Sequence, residues 1–60
     1  MPQPPLTRAE ITQRLYAILT LHADTTLAFY LTDWPRYREI TPERDTLFAA
    51  LISDLLTRGV

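Results

Sequence analysis

Trp34, Arg36, Tyr37 and Arg38 fall within five consecutive positions of a 60-residue chain. Tryptophan, tyrosine and arginine are the types that dominate the energetics of protein interfaces, because each buries a large rigid or planar group that ends in a polar tip. The same types stack on nucleic-acid bases and pair with phosphates. A third role is inert: Trp34 closes the core at a joint between helices, while the arginines lay their stems along it and keep their heads in water. The surrounding stretch "LTDWPRYREITPERDT", Leu31 to Thr46, adds Arg44 and two prolines. It reads as a joint that is also part of a contact surface.

Groups for bond-making chemistry are sparse. His22 is the single histidine, and a general base needs a nucleophile or carboxylate placed beside it, for which Asp24 two residues away is too generic a neighbour. A histidine near a helix C-terminus is explained by the dipole alone. Glu39, Glu43, Asp45 and Asp54 could be imagined as an acid–base pair, yet Glu43 and Asp45 stand where the start of a helix favours negative charge. The chain has no Cys and one Gly, so it lacks a thiol nucleophile and the glycines of a phosphate-binding loop. One histidine with scattered carboxylates is short of the ligands of a structural zinc site. The expectation is a non-enzymatic protein with no catalytic residue, no metal and no cofactor.

The formal charge is −1, from six basic residues, all arginine, against seven acidic ones. That balance speaks against nucleic acid, whose binding rests on several phosphate contacts. Hydrophobic residues make up 47%, which is a folding composition rather than a disordered one. The longest apolar runs, Leu47 to Ile52 and Leu27 to Leu31, fall far short of the ~20 residues that cross a bilayer. "MPQPPL" has neither the basic start nor the long apolar stretch of a secretory signal. A soluble, cytoplasmic protein without membrane contact is expected.

Three elements are expected to position these residues. "TRAE" announces a helix from about Arg8 to Leu21, with Thr7 and Glu10 as a reciprocal capping box. Ile11, Leu15, Ile18, Leu19 and His22 follow at spacings of three and four, with Thr7, Glu10, Arg14 and Ala17 opposite and Tyr16 at the edge. A last helix starts with Thr41 as N-cap and Pro42 at its first position, and ends at Arg58 before Gly59. Its two stripes, Leu47, Leu51, Leu55 and Phe48, Ile52, Leu56, cover about half the circumference, wider than the ~100° of an ordinary surface helix. One neighbouring helix cannot cover that much.

Residues Asp24 to Ile40 support two readings. As a helix from about Thr25 to Asp33, Asp24 caps a turn, Leu27, Tyr30, Leu31 and Trp34 share a face, and Trp34 before Pro35 ends it. As a hairpin, "TTLAFYLT" alternates and "RYREIT" returns, but "TDWPR" offers no Gly or Asn for the positive φ angles of a tight turn. The helix is preferred. The expected fold is all-α, three helices in the order long, short, long, with α-β-β-α as the alternative. Residues 1–6 form a flexible proline-rich lead-in, and 7–60 a single small helical domain.

A core this small is marginal, and without disulfides or metal the remaining supplements are tight helix packing and association. The functional expectation is therefore a small helical regulator, adaptor or inhibitor that binds a larger protein. It would also form a homodimer through its last helices. Its interface would comprise Trp34, Arg36, Tyr37, Arg38, Phe48, Ile52 and Leu56. The alternative is a helix-turn-helix DNA-binding regulator with Arg36, Arg38 and Arg44 on phosphates, weakened by an apolar last helix ill suited to a groove. A subunit of a larger enzyme complex is a third reading.

Overall fold

The Thr7 hydroxyl accepts from the Glu10 amide at 3.1 Å, and the Glu10 carboxylate accepts from the Thr7 amide at 3.4 Å. This capping box starts helix α1, Arg8–Tyr30. Two of the four free amides at a helix start are thereby satisfied by local residues, which is why the boundary was readable. The computed structural model describes residues 3–59, so the first two positions of the lead-in lie outside the described residues. Residues 3–6 are non-helical, yet Leu6 is buried and its amide donates to the Gly59 carbonyl at 2.9 Å.

The architecture is all-α, with two helices instead of three: α1 is followed by α2, Trp34–Thr57, and the described residues contain no strand. The α-β-β-α alternative is thus excluded. The expected short second helix is the last part of α1, which continues through Leu21 and Asp24 without a break. Thr25 and Thr26, poor helix formers in isolation, both donate their hydroxyls to the His22 carbonyl, at 2.7 and 2.9 Å. Their side-chain polarity is absorbed within the preceding turn, so the helix is not forced to end. His22 accordingly lies in mid-helix, away from any C-terminus.

Trp34 opens α2 where a helix end was expected. Asp33 is the N-cap, its carboxylate accepting from the Arg36 amide at 3.3 Å, with Pro35 in the first turn. Proline is tolerated there because the amide it lacks would be unpaired anyway. Thr41, Pro42, Glu43 and Asp45, read as a helix start, are inside α2. Dipole compensation therefore does not account for Glu43 and Asp45, and the Thr41 hydroxyl is buried with no partner. The expected terminator holds: Gly59 follows the C-cap Arg58 with φ +76°, and its amide donates to Leu55.

Between the helices, Asp33 donates its amide to the Ala28 carbonyl at 2.8 Å and Thr32 to Phe29 at 3.1 Å. That nested pair is the Schellman ending, which requires a left-handed residue at the position after the cap. Thr32 occupies it at φ +54°, a conformation that a β-branched side chain resists. The turn needs a positive φ after all, although its sequence has no Gly or Asn. Thr32→Gly is expected to stabilise the chain by about 1 kcal/mol, relieved strain exceeding the added freedom of the unfolded state. A thermal melt followed by circular dichroism checks this, and an unchanged or lower midpoint would remove the strain assignment.

The helices run antiparallel, joined by the turn at one end and by ion pairs at the other. At the terminal end Arg14 meets Asp54 at 2.6 Å, while Arg58 reaches Glu10 at 3.6 Å and donates to the Pro4 carbonyl at 2.9 Å. Beside these pairs lies a thin core in which Leu6, Ile18 and Leu51 touch, flanked by Ile11 and Leu55. Ala28, Ile40 and Thr25 are also buried. Going along α1, Ile11, Arg14, Ile18, Leu21, Thr25 and Ala28 are buried or half-buried, an alternation of three and four that keeps one seam toward a partner helix. The expected apolar face is therefore split. Ile11 and Ile18 point inward, Arg14 joins them from the expected polar side, and Leu15 and Leu19 remain exposed.

Candidate functional site

At the joint, three aromatic rings pack on one another. Phe29 at the end of α1 lies 5.5 Å from Trp34 and 6.0 Å from Tyr37, and Trp34 lies 5.9 Å from Tyr37. Two of these contacts are edge-to-face, the arrangement favoured by the ring quadrupoles. Tyr30 touches the outer edge of Phe29. The cluster braces the turn, and it is also open: Phe29, Tyr30, Leu31 and Trp34 are exposed and Tyr37 is half-buried. Phe29, which is not on the face that Leu27, Tyr30, Leu31 and Trp34 would share in a short separate helix, packs from α1 against Trp34 and Tyr37 of α2.

The arginines beside it have different surroundings. Arg36 stands 4.0 Å from Asp24, an exposed pair of the kind worth about 0–1 kcal/mol. Arg38 is exposed and has no ion-pair partner among the described residues. Arg44, further along α2, crosses the seam. Its Nη1 donates to the Thr25 hydroxyl at 3.2 Å and lies 3.2 Å from His22 Nδ1, while Nε and Nη2 donate to Asp45 at 3.1 and 3.0 Å. If Arg44 donates to the imidazole, Nδ1 carries no proton. This polar bridge could not be found from local spacing, because it depends on the antiparallel register of the helices.

Around the bridge the surface is hollow and apolar. A depression of about 430 Å³ is lined by Ile18, Leu19, His22, Arg44, Asp45 and Phe48. A smaller one of about 180 Å³, sharing His22 and Arg44, runs on to Phe29 and Tyr37. One side of the hairpin thus carries a trough of two hollows, from mid-length to the aromatic joint, with His22 and Arg44 shared between them. Leu15 and Ile52, one helical turn from Leu19 and Phe48, extend its apolar rim, since residues four apart share a face. A third hollow, between Asp24, Leu27, Leu31 and Arg36, shares no residue with these and lies on the other side.

Of the residues expected to form the interface, Trp34 and Tyr37 are together at the joint, and Phe48 and Ile52 are together along the trough. Leu56 is 83% exposed. It projects outward from α2, away from the seam. Among the described residues, α1 and Leu6 cover part of the half-circumference stripe of the last helix and leave Leu47, Phe48, Ile52 and Leu56 exposed. No group of three or more His, Cys, Asp or Glu side chains among the described residues could hold a metal ion. No helix among them is long and apolar enough to cross a membrane.

Fold and site together define a class: a helical hairpin with one hollowed apolar side and an aromatic tip. Compared with known proteins, the chain matches no family model, no curated protein and no solved structure.

Proposed function

We propose that this chain is a non-enzymatic interaction module, a small helical regulator, adaptor or inhibitor that acts by occupying a surface on a larger protein, in the cytoplasm. The observation that carries the reading is the mutually packed trio Phe29, Trp34 and Tyr37, with Phe29 and Trp34 exposed and Tyr37 half-buried at the tip beside Arg36 and Arg38. Rings braced by one another lose little freedom on docking, so more of their burial appears as affinity. Arg38 adds a planar cation free to pair with a carboxylate on the partner.

The DNA-binding alternative has less support. Of its three arginines, Arg44 is committed to Asp45 and Thr25, and Arg36 lies near Asp24. Few cations are left for phosphates, and a strong salt dependence would require several.

The test is a comparison of the wild type with the double variant Trp34→Ala, Tyr37→Ala as immobilised baits. Proteins retained by the wild type should be lost by the variant, with affinity reduced at least about thirtyfold, the scale of interface hot spots. Circular dichroism of the variant should keep most of the helical signal, because both helices are latched again at the terminal end. Equal retention by the two baits would dismiss the tip as an interface.

A further inference from the structure

We infer that the hollowed side of the hairpin is the docking surface for a second copy of this chain, the two hairpins packing face to face as a four-helix bundle. The exposed surface sets the scale. The chain exposes 4782 Å², whereas a compact monomer of 6.9 kDa exposes about 4,000 Å². The excess over the whole chain, about 800 Å², is of the size that each partner contributes to a standard stable interface. Its radius of gyration is 13.9 Å, against about 10 Å for a compact domain of 60 residues. The hairpin therefore has the form of a bundle lacking its second layer.

The trough is suited to its own copy in shape and in charge. A two-fold axis brings the same patch of both molecules together, so the patch must contain both the projection and the recess. It does: Leu19, 61% exposed, and Phe48, 52% exposed, stand at the walls of the 430 Å³ hollow. Covering the patch also strands no cation, because the Arg44 guanidinium already has Asp45, Thr25 and His22 as partners. One positive charge beside one negative charge leaves no like-charge repulsion when the patch meets itself. The surface involves both helices, so it is broader than a contact between last helices alone.

The experiment is sedimentation equilibrium of the full chain up to about 100 µM, with helicity followed over the same range. The wild type should approach twice 6.9 kDa, and its melting midpoint should rise with concentration. Phe48→Ala should raise the dissociation constant about thirtyfold or more, whereas Leu27→Glu, on the other side of the hairpin, should leave it within about threefold. A helical wild type that stays at 6.9 kDa at the highest concentration would overturn the proposal, as would a mass well above two chains or equal effects of the two substitutions. If Phe48→Ala fails to fold, the wild-type mass and the concentration dependence of its melting still decide. The result is separable from the tip reading. A monomer that still loses its retained proteins on Trp34→Ala, Tyr37→Ala refutes only the self-pairing, and a dimer whose retained proteins are unchanged by that double variant refutes only the tip.

Discussion

Leu51→Ala is expected to remove at least about 2 kcal/mol of stability, the low end of the range for a buried leucine. Leu51 is 2% exposed, the most buried apolar residue, and it contacts Leu6 from the lead-in and Ile18 from α1. It therefore joins three segments of the chain, and its truncation loosens all three at once. At 0.05–0.15 kcal/mol per residue, a chain of this length has only about 3–9 kcal/mol in total. The loss is thus a large part of the whole. A melt should show the midpoint falling by about 8 °C or more, while Leu56→Ala, at an exposed position, changes stability by no more than about 0.5 kcal/mol. Similar shifts for the two would mean that the core is not centred on Leu51.

The start of α1 and the end of α2 were legible because both depend on neighbours in sequence. Thr7 with Glu10, and Gly59 after Arg58, satisfy the free groups of a helix terminus locally. The helical class was legible from the three-and-four spacing on either side of the joint. The middle was not, for two physical reasons. Asp24, Thr25 and Thr26 resemble a cap, yet Thr25 is only 1% exposed and sits where α1 meets α2, where a small side chain with an internally bonded hydroxyl suits close approach. Then "DWPR" and "TPER" both have the cap-and-proline form of a helix start, and local rules do not rank them. The first prevails because the Schellman ending of α1 delivers the chain directly to Asp33.

The candidate surface was legible in residue type and less so in arrangement. Trp34 with Tyr37, and Phe48 with Ile52, were chosen for chemistry and hydropathy, and each pair is adjacent in the structure. Phe29 was missed because its partners lie across the joint. Leu15 and Leu19 were assigned to a face, but which part of that face turns inward depends on the phase of the seam, and Arg14 lies on the inward side, paired with Asp54. The stripe expected to face inward therefore sits partly to one side of the seam, with Leu19 and Phe48 lining the hollow from the two helices.

Pro42→Ala should act in the opposite direction to Leu51→Ala and by a similar amount. Proline inside a helix removes an amide donor and crowds the carbonyl four residues earlier, a cost of about 3 kcal/mol relative to alanine. Here that carbonyl belongs to Arg38, and both residues are exposed, so water can take the place of the lost bond and the ring contributes nothing to the core. Alanine restores the bond, offset by about 0.4–1 kcal/mol of added freedom in the unfolded chain. The net gain is about 2 kcal/mol, a rise in melting midpoint of about 8 °C or more. In urea the midpoint should move with an unchanged slope, because the surface exposed on unfolding is the same. A fall in stability would carry a different meaning: Ile40 and the unpartnered Thr41 hydroxyl, both buried just before the proline, would then owe their burial to a bend that only proline maintains.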